Sequence, residues 1–503
     1  MDTAERRSAT HIAGLALVAA GCVLFLAIGF GRITAPFGDS DEGINGAVWS
    51  LSARSLRDLG IVDSKLGGHR TDGTEYATHP PGTIVATAVT QAIGGARSWA
   101  SRAPAWLATL AALVLLYRLG RRARFSPLVA GGAVAIVALT PMALVYGPML
   151  DTPIVAFPFG VLVITCWFRD WSADEPSDLA TAGLTALAAL FAGLFGWQAA
   201  LLTALCGLTL AARAVRHRPG AIRAALPYLL GGAVGVALSL SWSWWVYGSF
   251  QTLFDKFGGR SGESSGIGLG DMVSFQLPWL ANLLGLSFVG LIGCVVALRD
   301  RFLRPLAAMA LASVLLYAVI FRQAAAGHQY WNYWVLLPTA VGWGYVLRAI
   351  VREVHKARSG SSARTTSIGI VVAIVLFVGA FGVIRPDQAQ RYIVEGHRAA
   401  ELVDATTFPT GQTGLATVGQ PYRADAWITY NTDLRPSTLV SVDQLQQMAT
   451  DRPDDLVLIL GNCDDSDPSY EFCTDVTRAA AAEADGDVHR PRLVPAGHLA
   501  GGA

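Results

Sequence analysis

Ten largely apolar stretches of this chain contain no Asp, Glu, Lys or Arg, and this pattern constrains the fold more than any other feature. They are Ile12 to Phe30, Ala103 to Tyr117, Ser126 to Leu150, Thr152 to Phe168, Leu179 to Ala212, Ala224 to Tyr247, Met272 to Leu298, Pro305 to Phe321, Trp331 to Leu347 and Thr365 to Ile384. About 20 apolar residues in helical conformation cross the hydrocarbon core of a bilayer. Leu179 to Ala212 is about twice what one crossing needs, and Gly196-Trp197-Gln198 offers a turn in its middle. The pattern predicts an α-helical polytopic membrane protein with about eleven transmembrane helices. A composition of 52% hydrophobic and only 15% charged residues over 503 positions excludes a soluble fold. The net charge of +1 averages two membrane faces and identifies no partner beyond the lipid bilayer; no nucleic acid is expected.

One further apolar run, Pro80 to Ala96, decides the topology. The basic clusters are Arg118/Arg121/Arg122/Arg124, Arg213/Arg216/Arg218/Arg223, Arg299/Arg301/Arg304 and Arg348/Arg352/Lys356/Arg358/Arg364. If Pro80 to Ala96 lies on the outer surface without crossing, every cluster falls on the cytoplasmic side with Arg6 and Arg7, as short basic loops prefer. The Pro-Pro start and the Gly94-Gly95 end suit a short surface element. The expected protein is a multi-pass protein of the bacterial cytoplasmic membrane, with a retained first helix, a cytoplasmic N-terminus and an outer C-terminus. Residues 1–384 form its membrane domain, and the loop 31–102 carries surface helices.

The tail, 385–503, changes character. Short apolar runs alternate with helical patterns over Leu415 to Val418, Ala426 to Tyr430, Val442 to Met448 and Asp455 to Leu460. This predicts a small extracytoplasmic α/β domain of accessory role, with Leu456 to Leu460 as its most buried strand. Four of the six cysteines lie in apolar runs; Cys463 and Cys473, in polar sequence outside the cell, are expected to pair as a disulfide. The glycine-rich segment Phe257 to Gly266 is expected to hold no fixed shape unaided, and to order over a ligand or to serve as a plain connector.

Chemistry is expected where acids meet the membrane surface. Gly38-Asp39-Ser40-Asp41-Glu42-Gly43 directly follows the first apolar run. A carboxylate there can act as general base on an acceptor hydroxyl, although Asp41 is also a natural cap for the helix expected to follow. Asp151 emerges from a span on the same face, where Asp shortly before Pro also opens helices. His79, before Pro80-Pro81, can hold a phosphate together with helix-start amides. Arg322 and His328 can grip a lipid phosphate, while Tyr330 and Trp331 either stack on substrate or form the interfacial aromatic belt. Asp39, Arg102, Tyr146 and Arg260 are the further candidate substrate contacts, Arg102 also being placed to snorkel. No cofactor is required by this chemistry. The crowded acids Asp39, Asp41 and Glu42 nonetheless have the oxygen ligands a divalent cation takes, so cation binding stays open.

In order and spacing, Asp41-Glu42 after the first span, Pro80-Pro81, Arg102-Ala103-Pro104, the Arg118 to Arg124 turn and Tyr146 to Pro153 resemble the GT-C membrane glycosyltransferases. Within them they resemble family 39 and its bacterial relatives, the protein O-mannosyltransferases and aminoarabinose lipid A transferases. The resemblance covers Ile12 to about Ile384. It implies transfer of a hexose or pentose from a polyprenyl-phosphate sugar to a protein, glycan or lipid acceptor on the outer face, usually with inversion. It also implies Asp41 as base with Glu42 beside it, and Asp151 as a second acid near the site. His79 stands where many relatives carry Lys.

Three alternatives predict different features. A secondary transporter would place ionisable residues or broken helices near mid-membrane, often in repeated halves, whereas here the spans hold almost no charge. An envelope-assembly scaffold would need the tail and not Asp41. A polymer ligase using a prenyl diphosphate would want more cations in its large outer loop than Lys256 and Arg260.

Overall fold

The computed structural model describes residues 3–71, 73–173, 178–216, 221–261, 267–358, 360–384, 396–403, 415–418, 421–432, 436–460, 463, 470–482 and 491–499. Helix α1 (Thr3–Ile33) is followed by two helices in the first loop, α2 (Asp41–Asp63) and α3 (Gly82–Gly94). Then come α4 (Ser98–Arg122), α5 (Pro127–Ala138), α6 (Pro141–Tyr146), α7 (Thr152–Val155), α8 (Phe157–Ser172), α9 (Leu179–Phe195), α10 (Trp197–Arg216) and α11 (Ala221–Tyr247). The second half holds α12 (Gln251–Ser261), α13 (Leu269–Leu284), α14 (Phe288–Ala297), α15 (Arg304–Ile320), α16 (Arg322–Gly327), α17 (Leu336–Ala357) and α18 (Gly360–Ile384).

Among the described residues, eight helices are long and apolar enough to cross a membrane: α1, α4, α7 with α8, α10, α11, α13 with α14, α17 with the 3₁₀ turns before it, and α18. The shorter apolar helices α5, α9 and α15 take the positions of the remaining expected spans. Helix α3, 13 residues long and rising about 20 Å, is likewise a shorter apolar helix. The run Leu179 to Ala212 divides at Gly196, as its sequence suggests. The run Ser126 to Leu150, expected as one helix, is broken. Pro141 has no N–H to continue α5, and the Thr140 hydroxyl instead accepts from Ala143 N at 3.1 Å to open α6. The segment Phe257 to Ser261, expected to lack fixed shape, completes α12; residues 262–266 lie outside the described set.

Helices pack closely where small residues face each other. A Cβ added at Gly342 of α17 would overlap the Gly290 carbonyl of α14, so these two backbones touch. The loop between α2 and α3 is strapped to the end of α11. Lys65, Leu66 and Gly67 all have positive φ (48°, 57° and 80°), and this tight turn is held by Trp242 Nε1 donating to Lys65 O and by Lys65 Nζ donating to Val246 O, each at 2.8 Å. Downstream, Ala77 N donates to the Tyr247 hydroxyl and the Ser243 hydroxyl donates to Ala77 O, both at 2.7 Å. Trp197 Nε1 donates to Thr78 O at 2.9 Å. These bonds fix where His79 sits.

The tail begins, in the described residues, with a helix over 396–403, α19. It continues with β1 (Leu415–Val418), α20 (Pro421–Thr432), β2 (Ser437–Leu439), α21 (Val442–Asp451), β3 (Leu456–Ile459), α22 (Tyr470–Ala482), β4 (Arg492–Pro495) and α23 (Ala496–Leu499). The sheet order is β2-β1-β3-β4, with β1 parallel to β2 and β3, and β4 antiparallel to β3. Leu456 to Ile459 is a core strand, as expected, and Cys463 and Cys473 are joined by a disulfide. The tail is not a separate appendage. Phe37, Ala47 and Leu51 share one core with Ala399, Ala400, Val403, Trp427, Ile428 and Tyr430. Arg54 Nη2 donates to Tyr430 O at 3.0 Å, and Asn431 Nδ2 donates to Phe37 O at 2.8 Å.

Candidate active site

The acidic segment opens α2. Ser40 caps the helix by accepting from Gly43 N at 3.1 Å, which puts Asp41 and Glu42 in the first turn, where carboxylates suit the helix dipole. Successive helical residues point about 100° apart, and the two acids have different surroundings. Glu42, 3% exposed, is held by Arg102, whose Nε donates to Oε1 at 2.6 Å and Nη2 to Oε2 at 3.1 Å. His397 of the tail lies 3.4 Å from Oε2. Burial opposes ionisation of this carboxyl, but Arg102 and His397 override it and hold its pKa at about 2. Arg102 is fully buried, stacks on Phe37 at 4.1 Å and also donates to Ala35 O. Asp41 is half-buried and lies within electrostatic reach of Tyr330.

Beside α2 is a polar cavity of about 380 Å³, whose walls include Asn45, Tyr76, His79, Asp151, Arg260 and His328. Asp151 caps α7, and its Oδ1 accepts from Thr152 N at 2.6 Å and from Trp49 Nε1 at 3.2 Å. Burial raises its pKa to about 6, the hydrogen bonds and Arg260 offsetting part of the effect. His79 is packed among Trp49, Tyr76 and Trp331, with ring centroids 6.0, 6.2 and 6.3 Å away. Burial, then Arg260 and His328, hold its pKa well below the ordinary histidine value, so it is neutral at pH 7. Asn45 Nδ2 donates to the Tyr330 hydroxyl at 3.0 Å. Tyr146 stands behind, its ring 6.1 Å from that of Tyr330 and its hydroxyl donating to Gln329 at 3.2 Å.

A second cavity, apolar and about 530 Å³, lies among α10, α11, α12 and α15. Trp197, Leu201, Val236, Leu240, Phe254 and Ile320 line it, and Lys256 stands at its wall. Arg260 borders both cavities, its guanidinium 5.7 Å from the Trp331 ring centroid.

The structure therefore brings together His79, Asp151, Arg260, His328, Tyr330 and Trp331, with Tyr146 behind them; Asp41 is not one of the residues lining this cavity and is linked to it through its electrostatic effect on Tyr330. Four expected site residues lie elsewhere. Glu42 and Arg102 neutralise each other in a buried pair outside the cavity, because a guanidinium in apolar surroundings must keep a partner. Arg322 does not face the cavity; its Nε donates to Ile267 O at 2.7 Å. Asp39 is buried beside the tail, its backbone N donating to Gly396 O at 3.3 Å. Asp39, Asp41 and Glu42 form no oxygen cage, since both Glu42 oxygens serve Arg102. Among the described residues no three His, Cys, Asp or Glu side chains are grouped to hold a metal ion. Sequence reasoning missed Asn45 and Trp49, although Asp41, Asn45, Val48 and Trp49 recur at helical spacing along α2. It also missed the apolar cavity, whose walls come from four helices.

Residues 78–245 match the family model described as dolichyl-phosphate-mannose-protein mannosyltransferase. No curated protein matches the chain by sequence. By structure, the chain is similar to ArnT from Cupriavidus metallidurans bound to undecaprenyl phosphate, with TM-score 0.58, 15% identity and coverage of 88% of this chain and 92% of that one. It is also similar to the Archaeoglobus fulgidus oligosaccharyltransferase in the apo form, with TM-score 0.54, 13% identity and coverage of 94% and 72%. AglB from the same organism, in complex with an inhibitory peptide and a dolichol-phosphate, gives TM-score 0.52 at 12% identity, covering 94% and 71%. The chain has the GT-C fold of these membrane glycosyltransferases.

Proposed function

We propose that this protein is a membrane glycosyltransferase that moves a hexose or pentose from a polyprenyl-phosphate carrier to an acceptor hydroxyl by inverting displacement, with Asp41 as general base. The observation that carries the reading is the meeting of the two cavities at Arg260. An amphiphile with a long apolar chain, one anionic phosphate and a polar head matches that sequence of surfaces. Support also comes from the undecaprenyl phosphate and dolichol-phosphate bound in proteins of the same fold. The acceptor, a protein, glycan or lipid hydroxyl, attacks the anomeric carbon and gives its proton to Asp41. The bond from that carbon to phosphate oxygen breaks, and the polyprenyl phosphate leaves with the electron pair beside Arg260. His79 and His328 line the same space and can donate hydrogen bonds to the phosphate. Trp331 and Tyr330 offer the sugar an aromatic wall. Arg260 supplies the fixed positive charge, so transfer is expected to survive EDTA.

The basic clusters, read as cytoplasmic loops, support a reaction on the outer face of the bacterial cytoplasmic membrane. A second reading, with Asp151 as base, is favoured by one observation: its pKa of about 6 is matched to proton abstraction near neutrality. Radiolabelled polyprenyl-phosphate sugars offered to the purified protein in nanodiscs, with a crude envelope fraction, separate the readings. Asp41→Asn is expected to abolish transfer while donor binding persists. Loss in Asp151→Asn alone transfers the role to Asp151, and no transfer with any donor refutes the function.

A further inference from the structure

The tail reaches the acidic segment at a junction the transfer chemistry does not itself require. Gly396 O accepts from Asp39 N at 3.3 Å, and His397 Nε2 lies 3.4 Å from Glu42 Oε2. The backbones touch: a Cβ at Gly38 would overlap Gly396 O, and a Cβ at Gly396 would lie 2.5 Å from Asp39 O. Only glycine at both positions allows this approach. Ala399, Ala400 and Val403 then anchor α19 in the core that Phe37, Ala47 and Leu51 of the first loop also fill. Arg102 of α4 donates to both oxygens of the same Glu42 carboxylate, so Oε2 is shared between Arg102 and His397.

We propose that His397 is a positioning residue for the transfer, through which the tail fixes the first turn of α2 and thereby the direction of the Asp41 carboxylate. The proposal rests on the reading of Asp41 as general base. Arg102 donates to both Glu42 oxygens and the Ser40 cap closes the turn, yet among these His397 alone comes from the tail. Its contact with Oε2 links the orientation of the first turn directly to the position of α19. Rolling the turn by a few tens of degrees would move the Asp41 oxygens by more than an ångström, enough to cost a large part of the rate of a proton transfer that requires hydrogen-bond reach. Among the described residues, none of this junction lines the apolar cavity or the polar one, so the expected effect is on rate rather than donor affinity.

The test uses the full chain in nanodiscs with the donor and acceptor that support wild-type transfer. His397→Gln keeps an N–H that can reach Glu42, whereas His397→Phe keeps the ring's bulk and loses the donor. The expected result is a roughly tenfold lower kcat in His397→Phe, about 1.4 kcal/mol, with donor KM within about twofold of wild type and near-complete rescue in His397→Gln. A ring that merely fills space would reverse that order. Gly396→Ala, which pushes the same junction apart without altering His397, is expected to lower kcat at constant KM, and it keeps the proposal testable if His397→Phe fails to fold. Wild-type kcat in both His397→Phe and Gly396→Ala overturns the positioning role, as does a loss confined to KM. Asp41→Asn, run alongside, separates the two claims. If it is inactive while His397→Phe is normal, the base stands and the positioning falls. If it retains full transfer, the base assignment falls, and any effect of His397 then acts on another group, which overturns the proposal as stated.

Discussion

Arg102→Met is the perturbation with the best-defined consequence. Glu42 is buried, and its pKa is held near 2 against an ordinary value of 4.5, with burial working against the ionised form. A difference of that size corresponds to about 3 kcal/mol at 1.36 kcal/mol per pKa unit. Breaking a buried pair by removing one partner costs about 3–5 kcal/mol by an independent route, because the remaining charge is left in apolar surroundings. For a chain of this size about 2 °C accompanies each kcal/mol or less, so the thermal midpoint in detergent is expected to fall by about 5 °C. The double variant Glu42→Met/Arg102→Met is expected to recover most of that loss, since no orphaned charge remains. The sign with pH is fixed. Glu42 has a folded pKa below its unfolded one, so the ion pair stabilises fully above about pH 4.5 and is lost as pH falls toward 2. The gap between wild type and Arg102→Met should therefore close over that window. Equal midpoints for wild type and Arg102→Met at pH 7, or a double variant no better than the single, would refute the reasoning.

Arg260→Ala is expected to raise donor KM at least tenfold, whereas Arg322→Ala, whose guanidinium is committed to Ile267 O, should stay within about twofold; steady-state kinetics over a donor series decides. Transfer rate in the wild type should rise through about pH 6 as Asp151 ionises if that residue is needed as carboxylate, and Asp151→Asn should remove that limb from the pH profile. Opening the Cys463–Cys473 disulfide by double substitution to Ser should cost the tail about 2–3 kcal/mol, from a loop spanning ten residues, and shows as a lower unfolding midpoint of the substituted protein than of the oxidised wild type. Gly342→Ala should destabilise the α14–α17 contact by about 1–3 kcal/mol, read as a lower midpoint with unchanged tail cysteine oxidation.

The membrane architecture was legible because uncharged length is a local property. Each apolar run announced a helix, and Gly196 announced the turn between α9 and α10. The break at Thr140-Pro141 carried the same kind of signal, a cap followed by a residue without N–H, and was overridden by apolar length. Residue type and side of the membrane selected His79, Asp151, Arg260, His328, Tyr330 and Trp331, and these do share one cavity. Partnership was not legible. Nothing local distinguishes Arg102, fully buried against Glu42, from a snorkelling arginine, or Arg322 on a backbone carbonyl from a phosphate ligand. The tail strands β2 and β4 are three and four residues long, too short for an alternating pattern to stand out. The union of α2 with the tail links residues almost 400 positions apart, as in the Asn431 to Phe37 bond with its separation of 394, and no window along the sequence spans that.

That separation also sets a clock during synthesis. Helix α2 is made early, but Trp427 and Tyr430, which cover its apolar side at Phe37, Ala47 and Leu51, are translated only after most of the chain. At about 5–20 residues per second, the ribosome needs about 20–80 s to travel from one to the other. Arg102 reaches Phe37 early, but throughout that interval Phe37, Ala47 and Leu51 lack the cover that Trp427 and Tyr430 give them, so the first loop keeps apolar surface open to aggregation until the last third of the chain is made.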